Sequence, residues 1–289
     1  MARKYCIAII GLLSFFTTSV TAQEKGYWSF VKNGSFYLSW GYNTEWYTRS
    51  TLHVKQPSLG NDYKLVNVRA HDHPGWDEGL FSKAMTIPQY NYRLGYFFNE
   101  KQDLAIEINF DHTKYIITDG QQVTVKGNLN GQKINGTREF SEKEGSYYYL
   151  NNGANFLLFN LVKKFKLIKP GPANNLKLDL LAKAGVGPVI PHVENSLFGQ
   201  KNEPGFQIGG WNTGIETAFR LTAFRYAYIE FAQKVDYARY SNLKVYEGRA
   251  RQAFGTYELI LNLGFTIPTG KHNKEFARHI PVTPETKAE

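Results

Sequence analysis

The chain has 289 residues, a formal net charge of +9 and 15% aromatic residues, which suits one large domain or two small ones. Its single cysteine, Cys6, lies within the first 22 residues, so the chain beyond them can hold no disulfide, no cysteine zinc site and no thiol nucleophile. The basic excess is spread along the sequence rather than clustered, which argues against nucleic-acid binding.

Residues 1–22 read as a secretory signal. Arg3 and Lys4 form its positive start, Tyr5 to Phe16 a short apolar stretch, and Val20-Thr21-Ala22 the small residues expected before cleavage at Gln23. The apolar stretch is shorter than the ~20 residues a spanning helix needs, and no later run supplies one. Residues 23–34 are expected to form a periplasmic amino-terminal segment, with Glu24 to Lys32 its one window of helical character.

From residue 35 onward the sequence alternates with period two, and successive side chains of a strand point to opposite faces. Phe36, Leu38, Trp40 and Tyr42 alternate with Ser39, Gly41, Asn43 and Glu45. Tyr90, Tyr92, Leu94, Tyr96 and Phe98 alternate with Gln89, Asn91, Arg93 and Gly95. Leu104, Ile106, Ile108 and Phe110 alternate with Glu107, Asn109 and Asp111. Asn155 to Phe165 is apolar on both faces, so its orientation stays open. Further strands place Asp179 and Lys183, then Glu216 and Arg220, then Glu230, Lys234 and Asp236 on their polar faces. In the last, Tyr257, Leu259, Leu261, Leu263 and Phe265 alternate with Thr256, Glu258, Asn262 and Gly264, with Ile260 the exception.

These are eight strands, several of them near the roughly 9–11 residues that cross a bilayer. Short connections follow the second, fourth and sixth. Long ones follow the others, at roughly 49–87, 119–146, 189–206 and 241–249. No helices are available to cover an open sheet, and closure removes its edges. The expected fold is therefore all-β: an antiparallel up-and-down transmembrane β-barrel over residues 35–267, with long external loops and a mobile periplasmic tail at 268–289. Tyr63 to Val68 could add a hairpin arm to the first loop or two strands to the wall, which makes ten the alternative count. Asn128-Leu129-Asn130-Gly131 reads as a hairpin turn in the second loop.

A Lys or Arg on the lipid face at mid-depth costs roughly 2–4 kcal/mol, so the charged face belongs inside. The expected lumen network is Glu45, Arg93, Glu107, Asp111, Asp179, Lys183, Glu216, Arg220, Glu230, Lys234 and Glu258. In an eight-stranded barrel side chains just fill the interior, which favours a salt-bridged plug over a conduction path. Alternation carried past Asp111 turns Asp111 and Thr113 inward and His112 and Lys114 outward, toward lipid head groups. His71, Asp72 and His73, with Asp77 and Glu78 close by, are the densest cluster with metal-ligand chemistry, but no second ligand pair stands at metal spacing, so a solvated loop with Pro-Gly turn chemistry is the favoured reading.

The plan resembles small outer-membrane barrels of the OmpA/OmpX class. Ala70-His71-Asp72-His73-Pro74, Met85-Thr86-Ile87-Pro88-Gln89-Tyr90-Asn91 and Asp111-His112-Thr113-Lys114-Tyr115 resemble segments of a functionally uncharacterised family of Gram-negative outer-membrane β-barrel proteins. The resemblance implies barrel and location and brings no catalytic residues. That class usually ends its last strand at the chain terminus, whereas about twenty residues follow Phe265 here. The expectation is a monomeric, non-enzymatic barrel without cofactors. Its loops would serve adhesion, ligand binding or envelope integrity, and its partners would be outer-membrane lipids, lipopolysaccharide and the barrel assembly machinery. A lipid A deacylase or acyltransferase and a small-solute pore are the alternatives.

Overall fold

The computed structural model describes residues 34–75, 89–98, 103–150, 153–169, 176–224 and 226–269. The expected export signal, the helical window at Glu24 to Lys32, Asp77, Glu78 and the tail beyond residue 269 lie outside the described residues. So do residues 99–102 and 170–175 of two short connections.

Eight strands close into a ring: β1 (Ser35–Tyr47), β2 (Tyr90–Phe97), β3 (Leu104–Asp111), β4 (Phe156–Ile168), β5 (Lys177–Pro188), β6 (Gly210–Ala223), β7 (Ala227–Val245) and β8 (Gly248–Pro268). Each pairs antiparallel with the next, and β8 returns to β1 from Ser35↔Pro268 to Tyr47↔Thr256. The ring is the eight-stranded one; Ser50–Gln56 and Asn61–Val68 form a hairpin outside it.

The two faces of the wall differ as the alternation requires. Leu38, Leu94, Ile106, Leu161, Ile215 and Leu261 point outward and are half or more exposed. Aromatic rings tier this belt toward the long-loop end, with Trp46 on Tyr257 and Trp211 on Tyr237. Phe36 and Tyr96 meet toward the short-turn end. Exposed apolar surface on this scale, banded by aromatics, is the mark of a lipid-facing barrel wall.

The strand left open by the sequence is β4. It turns Phe156, Leu158, Asn160, Val162 and Lys164 inward and Phe159, Leu161 and Phe165 outward. Its inner face is partly apolar because Val162 joins Ala105, Leu181, Ala218, Ala232 and Ile260 in a small cluster inside the ring. The same cluster accounts for Ile260 standing on the otherwise polar face of β8.

Beyond the ring the long connections fold into a crown of two sheets. The first continues the wall: β7 and β8 run on past the ring, and β8 pairs there with Ser50–Gln56. Asn61–Val68, Gln121–Leu129 and Gln132–Phe140 follow in order. The turn between the last two is at Asn130-Gly131, both with positive φ, as a two-residue hairpin requires. The second sheet runs from Ala70–His71 through Tyr115–Ile117, Tyr147–Leu150 and His192–Leu197 to Gln200–Lys201. Leu52, Val54, Tyr63, Leu65, Val123 and Val125 of the first sheet share one core with Tyr115, Ile117, Tyr148, Leu150, Val193 and Leu197 of the second. Tyr240, Leu243, Ala250 and Phe254 extend that core down to the wall.

Candidate functional site: the barrel lumen and its mouth

Every residue of the expected lumen network lies buried within the ring, from Arg93 and Glu258 at 0% exposure to Asp179 at 4%. Their contacts form three tiers. Nearest the short turns, the Arg220 guanidinium bonds Glu230 at 2.6 Å and lies between the rings of Tyr37 and Tyr228, 4.5 and 4.0 Å from their centroids. Each of those rings lies over a glycine. An added methyl at Gly95 would come within 2.1 Å of Tyr37, and one at Gly264 within 2.3 Å of Tyr228, so glycine makes the room. Tyr37 also donates to Glu107 at 2.8 Å. Asp179 stands directly across the β5–β6 ladder from Arg220.

In the middle tier Lys183 contacts Glu216, Glu230 and Glu107 at 2.8, 2.9 and 3.1 Å. Arg93 bonds Asp111 and reaches Glu216 at 3.3 Å. In the upper tier Lys234 bonds Asp111 and contacts Asp236 and Glu258, each at 3.0 Å. Two of these ties span the lumen. Arg93 on β2 meets Glu216 on β6, and Lys234 on β7 meets Asp111 on β3, pairs four strands apart in a ring of eight. Glu45 stands apart from the ion pairs and accepts hydrogen bonds from Asn43 and Tyr47. Two inward residues belong beside the expected set. Asp236 lies on the face alternation already assigned, while Lys164, held over the Phe97 ring at 4.3 Å, was hidden by the ambiguity of β4.

Asp72 closes the mouth. Its carboxylate accepts from Glu45 N at 2.7 Å, His73 N at 2.8 Å, Thr44 Oγ1 at 3.1 Å and Gln89 Nε2 at 3.2 Å. His71 turns instead to Thr118 Oγ1, 3.2 Å away. Among the described residues no three His, Cys, Asp or Glu side chains converge in a way that could hold a metal ion.

Burial raises the Asp72 pKa to about 6, against the pull of those hydrogen bonds. A folded-state pKa above the unfolded value means that the group's stabilising contribution is full at low pH and is lost as pH rises through about 6. Asp72→Asn removes that titration. The stability of the natural protein relative to the variant is expected to fall by up to about 3 kcal/mol between pH 4 and 7, measured by urea unfolding of both proteins in detergent. A difference that stays flat across that range would contradict the assignment.

His112 and Lys114, expected at the lipid head groups, are instead buried. The strand ends at Asp111, and the chain then turns in beneath the second crown sheet, where Ala154 N donates to Thr113 O. His112 is 8% exposed, stacks on Tyr90 and bonds Asn155; Lys114 is 7% exposed. Burial also holds the His112 pKa below the usual histidine value. Neither residue is presented outward to a head group.

A closed eight-stranded wall with apolar exterior and ionic interior, capped by a folded crown, defines a transmembrane β-barrel. No protein-family model matches the chain, and no curated protein matches it. Among solved structures it is similar to the outer membrane protein OprG of Pseudomonas aeruginosa, at 13% identity over 82% of this chain and 97% of that one, with a TM-score of 0.36. It is similar to Ail, the attachment invasion locus protein of Yersinia pestis, solved with the heparin analogue sucrose octasulfate, at 16% identity, 81% and 99% coverage and TM-score 0.30. It is similar also to the outer membrane protease OmpT of Escherichia coli, at 9% identity, 82% and 97% coverage and TM-score 0.36. Likenesses this distant add nothing about function to what the ring itself provides.

Proposed function

We propose that the chain is an outer-membrane barrel that neither conducts solutes nor catalyses a reaction, and that it holds its crown at the cell surface for adhesion, ligand capture or envelope integrity. The cross-lumen ion pairs carry this reading, since Arg93–Glu216 and Lys234–Asp111 fill the space a solute would need. The crown core lies directly above them. Support for the location comes from the lipid-facing belt and from the export signal read in the sequence. An even strand count puts both chain ends with the short turns, and in barrels of this kind the long connections face outward.

Planar-bilayer recording of the purified chain is expected to give no stepwise conductance, and stable unitary steps would overturn the plug. Lipid A from a deletion strain is expected to keep its acyl pattern by mass spectrometry. A changed pattern restored by the gene would replace this reading with a lipid-modifying enzyme.

A further inference from the structure

With His112 and Lys114 buried, the exposed cations near the long-loop end of the wall lie elsewhere, on the outward face of the first crown sheet. Arg251 stands directly opposite His53, His53 opposite Lys64, and Lys64 opposite Lys126, one rung across four strands. The next rung pairs Arg249 with Lys55. Arg251 Nε donates to His53 Nδ1 at 3.0 Å, while Lys64 faces Lys126 and Arg249 faces Lys55 as like charges, which destabilise a sheet. The acidic relief on these two rungs is Asp62, which contacts His53 at 2.6 Å and Lys55 at 3.2 Å. Among the described residues Arg239, Arg251 and Lys64 form no ion pair with a carboxylate; Asp62 is taken by His53 and Lys55.

This face continues the lipid-facing face of the barrel. Along β7 the outward series Ile229, Phe231, Val235, Tyr237 leads straight to Arg239. Arg239 stands opposite Trp211, whose ring packs on Tyr237 in the upper aromatic tier. Aromatics of that tier mark the bilayer interface, so Arg239 lies at head-group height. Arg251 is three outward positions beyond Tyr257 on β8, roughly 20 Å along the strand and, with the usual tilt, roughly 15 Å higher. Between the two arginines the wall is bulged: register shifts between Tyr240 and Leu243, with Asn242 at φ 55°. The bulge opens a groove of about 360 Å³ whose lining includes Arg239, Asn242, Arg249, Arg251, His53 and Lys55. A backbone shaped into a cationic groove, beside a rung whose positive charge exceeds what Asp62 offsets, matches a ligand carrying several phosphates.

We infer that this groove and rung bind the phosphate groups of a phosphorylated glycolipid head group in the surrounding leaflet, with Arg239 at the membrane-proximal phosphate and Arg251 and Lys64 at those above. The inference rests on the proposed placement of the crown at the outer surface.

The test uses the full chain, folded in neutral detergent, titrated with mixed micelles of bisphosphorylated lipid A, with the same lipid stripped of phosphate, and with soluble heparin. The phosphorylated lipid is expected to bind tightest. Arg239→Ser/Arg251→Ser/Lys64→Ser is expected to weaken it about a hundredfold. Lys133→Ser/Lys143→Ser/Lys201→Ser, an equal charge change elsewhere on the crown, is expected to leave it within about twofold, because none of its residues lines the groove. Restoring Lys64 as arginine in the first variant should recover part of the loss. Heat-modifiable migration on gels checks that each variant is folded. Equal binding by the two triple variants would overturn the site, and heparin binding as tightly as the phosphorylated lipid would overturn a lipid occupant. Channel recording on the same preparations keeps this separate from the closed-lumen reading. A conducting protein that still binds would sink the plug and leave the groove standing.

Discussion

Replacing Arg93 with methionine is expected to lower the unfolding free energy of the barrel by about 3–5 kcal/mol, the cost of breaking a buried ion pair from one side. The guanidinium is fully buried and ties β2 to Asp111 on the neighbouring β3 and to Glu216 across the lumen. Methionine approximates the volume of the stem but leaves both carboxylates short of a cation. Lys234 still reaches Asp111 and Lys183 still reaches Glu216, so the ring should close, but with an unbalanced interior. The double variant Arg93→Met/Glu216→Gln removes one of the stranded charges and is expected to recover part of the loss. Urea unfolding in detergent, followed by tryptophan fluorescence, measures both. A single-variant loss under about 1 kcal/mol would mean that water, not Arg93, neutralises those carboxylates.

The inward charges were legible because membrane and lumen impose opposite chemistry on alternate positions. Arg93, Asp111 and Glu230 could stand on no other face of their strands. Their partners were not legible. Whether Arg93 meets Glu216 depends on how far the strands are staggered around the ring, and no local pattern encodes that. Lys164 was lost because β4 contributes Leu158 and Val162 to the interior, which erased the polar side of its alternation. His112 and Lys114 were misplaced because alternation assigns a face but not what covers it: the ladder still reaches His112, whose N donates to Tyr90 O and whose ring stacks on the outward Tyr90, yet both side chains are buried. The crown left the weakest trace. Its first sheet joins Val54 to Ala250, residues almost two hundred positions apart, and its second is built from strands of two to six residues. Tyr63 to Val68 announced a strand, and Asn130-Gly131 a turn, but nothing in either names the sheet it joins.

Phe254→Ala tests whether the crown is a cooperative unit in its own right. Phe254 is 2% exposed and is the ring on which the junction is built. It stacks on Tyr115 at 4.3 Å and Tyr240 at 5.3 Å and meets Tyr47 edge-on at 5.4 Å, joining both crown sheets to the wall. Truncating such a side chain costs about 3–5 kcal/mol, more than most packing defects. In the ring, by contrast, the β1–β8 ladder from Ser35↔Pro268 to Tyr47↔Thr256 and the ion pairs below it do not involve Phe254. The loss should therefore fall on the crown: added protease is expected to cut the hairpins at 50–68 and 121–140 at least tenfold faster than in the natural chain. The barrel itself should keep its heat-modifiable migration, because bilayer-facing surface and closed backbone ladders hold it independently. If the variant lost barrel migration together with crown protection, the two would be one folding unit, and the aromatic junction would be part of what closes the ring.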